Sequence, residues 1–164
     1  MDLMEAMRAR HSVRQYTEEP VAEDAAQALE KEIRQCNKEG GLHIQLVLNE
    51  PRAFNGFLAH YGNFRGVRNY IALIGPKGPD LDEKCGYYGE RLVLLAQQLG
   101  LNTCWVALTY SKVKTAFTIL EGEKLCVVIA LGYGQTQGNV HKSKSAGEVT
   151  KADIPAPDWF QRGV

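Results

Sequence analysis

Residues 70–108 read YIALIGPKGPDLDEKCGYYGERLVLLAQQLGLNTCWVAL, and the fold is decided by how this stretch divides. Tyr70 to Gly75 is continuously apolar, the pattern of an inner strand covered on both faces. Gly75-Pro76-Lys77-Gly78-Pro79 is a turn cluster. Asp80 and Glu83 then stand at capping-box spacing ahead of an apolar line at Cys85, Tyr88, Leu92, Leu95 and Leu99, which predicts a long helix ended by Gly100. Thr103 to Leu108 returns to strand character. Strands apolar on both faces, joined by a long helix, predict a sheet with helices over both of its sides.

Working outward, Leu125 to Leu131 (LCVVIAL) is a third apolar strand after a turn at Glu121-Gly122-Glu123, where Glu123 and Lys124 read as turn charges. Toward the N-terminus, Leu42, Ile44, Leu46 and Leu48 alternate with His43 and Gln45, predicting a half-buried strand over 42–48. Ala25, Leu29, Ile33 and Cys36 fall on one face of a helix over 22–38 that Gly40-Gly41 stops. Asp2 caps a first helix reaching Arg10, with Leu3, Met4 and Met7 on one side. Ser111 caps a short helix through Phe117, and residues 51–66 form a long, partly helical connection. The predicted order is helix, helix, strand, strand, helix, strand, helix, strand. The end of the chain, Ile154 to Phe160, is a Pro-broken arm with large apolar rings.

A chain of 164 residues with 45% apolar and 23% charged residues is long enough for one ordinary core. Lys plus Arg is 19 and Asp plus Glu is 19, which argues against a general nucleic-acid binder or a polybasic membrane anchor. No apolar run is long enough to span a bilayer, and MDLMEAMRAR lacks a signal core. Cys36, Cys85, Cys104 and Cys126 have no metal-knuckle or C-x-x-C spacing and read as free thiols in a reducing, cytoplasmic setting.

The densest chemistry lies in Arg8-Ala9-Arg10-His11-Ser12-Val13-Arg14. In an extended chain Arg10, Ser12 and Arg14 share a side, and two guanidinium forks with a hydroxyl suit a phosphate or an anionic ring edge. A solvated basic helix end is the competing reading. Lys142-Ser143-Lys144 is a second basic cluster, either a solvated tail or a partner of the first on one phosphate. His43, His60 and His141 have no ligand-spaced partner, so no metal site is expected. There is no G-x-S-x-G elbow, and Gly132-Tyr133-Gly134 lacks the third glycine of a dinucleotide loop. Trp105 is either a core aromatic or marks a strand end whose backbone faces a flat ligand.

Arg10-His11-Ser12-Val13-Arg14, then Tyr16 and Pro20-Val21, resembles the opening of the FMN-dependent nitroreductase family. Leu99-Gly100-Leu101-Asn102-Thr103-Cys104-Trp105-Val106 is similar to that family's late helix and strand, and Gly132-Tyr133 with Lys142-Ser143-Lys144 to its closing region. Gly86-Tyr87-Tyr88-Gly89-Glu90 and residues 44–55 look closest to the Thermotoga-type subgroup. The resemblance implies an α+β fold, a mixed, mostly antiparallel sheet covered by helices on both faces, over a core at 1–145. Residues 146–164 are then an extension or the start of a segment that the chain cuts short. It implies a homodimer with FMN at the interface, Arg10, His11, Ser12 and Arg14 on phosphate, ribityl chain and ring edge, and Lys142 and Lys144 completing the phosphate clamp. Backbone at Ala107 and Leu108 would lie near flavin N5, with no catalytic side chain named. The implied activity is ping-pong transfer of electrons from NAD(P)H to a nitro compound or quinone-like acceptor. Two departures stand out: Gln35 to Gly41 does not match the family's Pro-Ser/Thr-x-x-Asn-x-Gln motif, and Ala107-Leu108 replaces an acidic-Gly pair. They leave open an alternative, a non-catalytic flavin- or nucleotide-binding or interaction module with the same fold.

Overall fold

The computed structural model describes residues 1–140, 144, 145 and 148. Its elements in chain order are α1 (Leu3–Ala9), α2 (Glu23–Gly40), β1 (Gln45–Val47), a 3-10 turn (Pro51–Phe54), α3 (Phe57–Tyr61), β2 (Asn69–Pro76), α4 (Leu81–Gln98), β3 (Asn102–Val106) and β4 (Glu123–Gly132). The four strands form one antiparallel sheet in the order β1-β2-β4-β3. Parallel pairing is supplied by isolated bridges, Ser12 to Thr103 and Gln15 to Arg65. The α+β architecture expected from the resemblance is the one the chain adopts.

β2 and β4 lie at the centre of the sheet, and their continuous apolar runs are split by the pleat between two cores. Ile71, Leu73, Ile129 and Leu131 face α2 and α4, where Leu29, Ile33, Cys36, Leu92 and Val93 are buried against them. Tyr70, Ala72, Ile74, Val128 and Ala130 face the opposite core, closed by Phe54, Ala59, Phe64, Tyr110 and Phe117. Long helices therefore cover one face, and the 3-10 turn, α3 and the loop after β3 cover the other. Arg91 of α4 pairs with Glu32 and Glu39 of α2, and its guanidinium lies 5.6 Å from the Tyr88 ring centroid, clamping the two long helices together.

Several local expectations are corrected. The first strand is only Gln45–Val47, because the Asn37 side chain captures both backbone groups of Ile44, accepting from its N–H at 2.7 Å and donating to its carbonyl at 2.9 Å. After β1, Asn49 turns the chain at φ 54°, which leaves Leu48 exposed. The capping box forms at α1, where Asp2 accepts from the Glu5 N–H at 2.8 Å, yet Ala6 is the buried residue and Leu3, Met4 and Met7 are exposed. At α4 no box forms; Asp80 instead pairs with Lys84 at 2.8 Å. No helix follows Ser111. Its N–H donates to the Ala53 carbonyl at 2.7 Å, and β-branched Val113, Thr115 and Thr118 weaken the helix tendency of the stretch.

Glu123 is not a turn charge. It opens β4, nearly buried, with a carboxylate oxygen 2.9 Å from His43 Nδ1 and 2.8 Å from the Leu120 N–H that donates to it. Burial pushes its carboxyl up, but the bonds from His43 and Leu120 outweigh that and hold it below its ordinary 4.5. A folded value below the unfolded one contributes stability that is present above pH 4.5 and is lost as pH falls through the lowered value. Glu123→Gln is therefore expected to flatten the acid limb of a stability-against-pH profile measured by urea unfolding. An unchanged limb would contradict this role.

All four cysteines are free, and burial pushes the Cys85 thiol up to about 12 and the Cys36 thiol up to about 11, which suits inert core residues. No described helix is long and apolar enough to cross a membrane, and no described His, Cys, Asp and Glu residues cluster as three or more potential metal ligands.

Candidate functional site

α1 ends at Arg10, whose N–H closes the last turn on the Ala6 carbonyl, and the chain then runs extended to Thr17. That stretch is stitched on three sides. The Val13 N–H donates to the Thr103 carbonyl at 3.0 Å. Arg65 donates to the Arg14 carbonyl and accepts from the Tyr16 N–H, both at 2.9 Å. The Gln15 carbonyl accepts from the Gln135 N–H at 2.9 Å, and the Thr17 N–H donates to the Tyr133 carbonyl at 2.8 Å. Val13 and Tyr16 are its buried anchors, and the Tyr16 hydroxyl donates to the Val13 carbonyl at 2.7 Å. With those two residues turned inward, Ser12 and Arg14 are left exposed, and Arg10 and His11 half-buried.

Arg10, His11, Ser12 and Arg14 line one cavity of about 550 Å³, together with Gln15, Asn63, Thr136 and Asn139. Among the described residues, no carboxylate is on its wall. A cavity with two guanidinium groups, an imidazole, a hydroxyl and neutral amides on its wall suits a polyanion with hydroxyl or amide groups attached. Gly138 belongs to the same wall at φ 81°, and a Cβ there would stand 2.7 Å from His11 Cβ, so only glycine lets this loop lie against the cationic segment. The Gly134 N–H donates to Asn102 Oδ1 at 2.9 Å, and Asn102 donates in turn to Gln137 at 3.0 Å, which ties the same loop to β3.

The two arginines differ. Arg14 is exposed, with its guanidinium 5.9 Å from the Phe64 ring centroid. Arg10 has its Nε 3.7 Å from one carboxylate oxygen of Glu90, whose other oxygen accepts from Trp105 Nε1 at 3.2 Å. Trp105 packs on the α4 side of the core, as the core-aromatic reading holds. Glu90→Gln keeps an acceptor for Trp105 and removes the charge competing for Arg10. Affinity for inorganic phosphate, read by calorimetric titration, is expected to rise at low salt by up to about fivefold, since a partly exposed ion pair is worth ~0.2–1 kcal/mol. The gain should vanish at high salt; no gain at low salt would contradict the competition.

The other predicted site residues that the structure describes are not on the wall of this cavity. Ala107 and Leu108 follow β3, are exposed, and are not on its wall. Lys144 is exposed and also off the wall, and Lys142 lies outside the described residues. Asn63, Thr136, Gly138 and Asn139 are wall residues that sequence reasoning misses. The signals that could mark them are Gly62-Asn63, with Asn63 at φ 58°, and the Gly-rich run Gly132 to Gly138 after the last strand.

The family model described as "Putative TM nitroreductase" matches residues 2–164. The chain belongs to this family. Solved structures give the same fold. A "putative nitroreductase in complex with fmn" from Desulfovibrio desulfuricans has a TM-score of 0.68 at 18% identity, over 94% of this chain and 99% of that one. A "Nitroreductase with Bound FMN" from Bacteroides fragilis has a TM-score of 0.64 at 19% identity, over 93% and 100%. A "Putative NADH Oxidase" from Clostridium acetobutylicum has a TM-score of 0.67 at 15% identity, over 91% and 99%. No curated protein matches the sequence.

Proposed function

We propose that this nitroreductase-family chain binds FMN in the cavity at the end of α1 and passes electrons from NAD(P)H to a nitro compound or a quinone-like acceptor. The observation that carries the proposal is the cavity itself, about 550 Å³ with Arg10, Arg14, Ser12 and His11 on its wall and no carboxylate among its described lining residues. That donor set fits a flavin mononucleotide. Arg14 and Ser12, with Arg10, would hold the phosphate. His11, Asn63 and Thr136 offer partners to ribityl hydroxyls, and a guanidinium at the ring edge would stabilise negative charge there. Lys142 and Lys144 completing the clamp, and backbone at Ala107 and Leu108 facing the ring, would require the flavin to extend beyond this wall, which Ala107, Leu108 and Lys144 do not line. The chemistry supplied by the group when bound is two-electron transfer in two successive half-reactions that share one site.

A homodimer is part of this proposal. It is supported by the exposed apolar side of α1, where Leu3 and Met7 border a groove shared with Tyr87, Leu94 and Leu95 of α4. A cytoplasmic setting is supported by the four free cysteines. The test is steady-state oxidation of NADH and of NADPH by the FMN-loaded protein with a nitroarene and with a quinone. Parallel double-reciprocal lines are the expected result. FMN binding with no turnover on any pair would instead leave a flavin-binding module.

A further inference from the structure

We propose that a second cavity, between the Glu18–Val21 connection and the start of β2, binds a free α-amino acid with an aliphatic side chain. It has a volume of about 370 Å³ and shares no lining residue with the cationic cavity. Three observations define what fits it.

The first is Arg68. Its Nε is shielded from solvent and has no hydrogen-bond partner, and no described carboxylate lies within ion-pair distance of its guanidinium. Arg68 lines the cavity with its charge unpaired by any described carboxylate, and a carboxylate is the group that meets a guanidinium through two parallel N–H bonds. The second is the facing pair, Glu18 and Glu19. Both are exposed, and neither forms an ion pair with a described Lys or Arg. The cavity thus holds unneutralised charge of both signs that does not cancel internally. A ligand carrying both charges on one small frame answers both walls, and a nucleotide phosphate is repelled by the two glutamates. The third is the apolar lining from Val21 and from Leu48, which is 40% exposed although large and aliphatic. Apolar surface beside paired polar anchors is the usual composition of a small-molecule site, and this volume is at the small end of that class.

The cavity is also preformed. Asn49 is held at φ 54° by donating its N–H to Asn69 Oδ1 at 3.0 Å, and buried Asn69 donates to the Leu131 carbonyl at 3.4 Å. The Arg68 carbonyl accepts from the Glu50 N–H at 2.6 Å, fixing the backbone beneath the guanidinium. A ligand therefore meets a floor already tied to β2 and β4.

The test is calorimetric titration of the full chain with leucine and valine, against 4-methylpentanoate, which lacks the amine, and isobutylamine, which lacks the carboxylate. Saturable binding of leucine or valine is expected, with both half-ligands weaker by about tenfold or more, one charge-assisted contact each. Arg68→Gln, and separately Glu18→Gln with Glu19→Gln, should each weaken leucine by a similar factor, in protein that still unfolds cooperatively. The exposed glutamate pair carries the test if Arg68→Gln does not fold. No saturable binding of either amino acid overturns the proposal. So does equal binding of a half-ligand, or full affinity in the glutamate double variant.

Discussion

Gly66→Ala is expected to destabilise the protein by about 2–4 kcal/mol and to loosen the cationic cavity with it. Gly66 sits at φ 70°, and a Cβ there would fall inside contact distance of the Tyr16 carbonyl oxygen and 3.2 Å from its carbon. These are backbone atoms, so no rotamer change relieves the clash. The left-handed conformation alone costs an alanine about 1–2 kcal/mol. Gly100 supplies the control, since it has φ 80° and a Cβ there would meet nothing within 4 Å. Gly100→Ala should thus show the conformational cost without the clash. Because Arg65 bonds both Arg14 and Tyr16, the shift forced at Gly66→Ala passes into the segment that carries the arginines. Urea unfolding of the two variants checks the claim; equal losses would show that the Tyr16 contact is relieved at no cost.

Arg14→Ala is expected to weaken FMN binding about 10- to 100-fold, the worth of one charge-assisted or bidentate contact to phosphate. Its effect on folding should be small, because the side chain is exposed and its contact with Phe64 is a single cation–π approach. The variant should also show a shallower dependence of affinity on salt, since one cation fewer meets the phosphate. Arg10→Ala should cost less, because Glu90 already draws on that guanidinium. Flavin fluorescence titration at two salt concentrations separates these outcomes. An unchanged affinity in Arg14→Ala would remove Arg14 from the phosphate site.

The parts of the fold that could be read from the chain are those where one physical demand dominates. β2 and β4 are buried on both faces, so their runs are unbroken, and α2 shows its buried line because Ala25, Leu29, Ile33 and Cys36 all meet the sheet. Elements decided by a single side chain were not legible. Asn37 shortens β1 from a helix seven residues away from its target, and the Ser111 N–H is claimed by Ala53 across the second core. In α1 the apolar residues point outward, which no periodicity within seven residues could reveal. The site divides in the same way. Arg10 to Arg14 is contiguous and visible as a cluster, whereas Asn63, Thr136 and Asn139 reach the cavity only because Arg65 and Gln135 bond the extended segment from two sides.

Whether the cationic cavity holds FMN is decided by titrating the purified chain with FMN and following the quenching of flavin fluorescence. Saturation at one FMN per chain is expected, with affinity falling as salt is raised. Absence of saturable binding at low salt would contradict it.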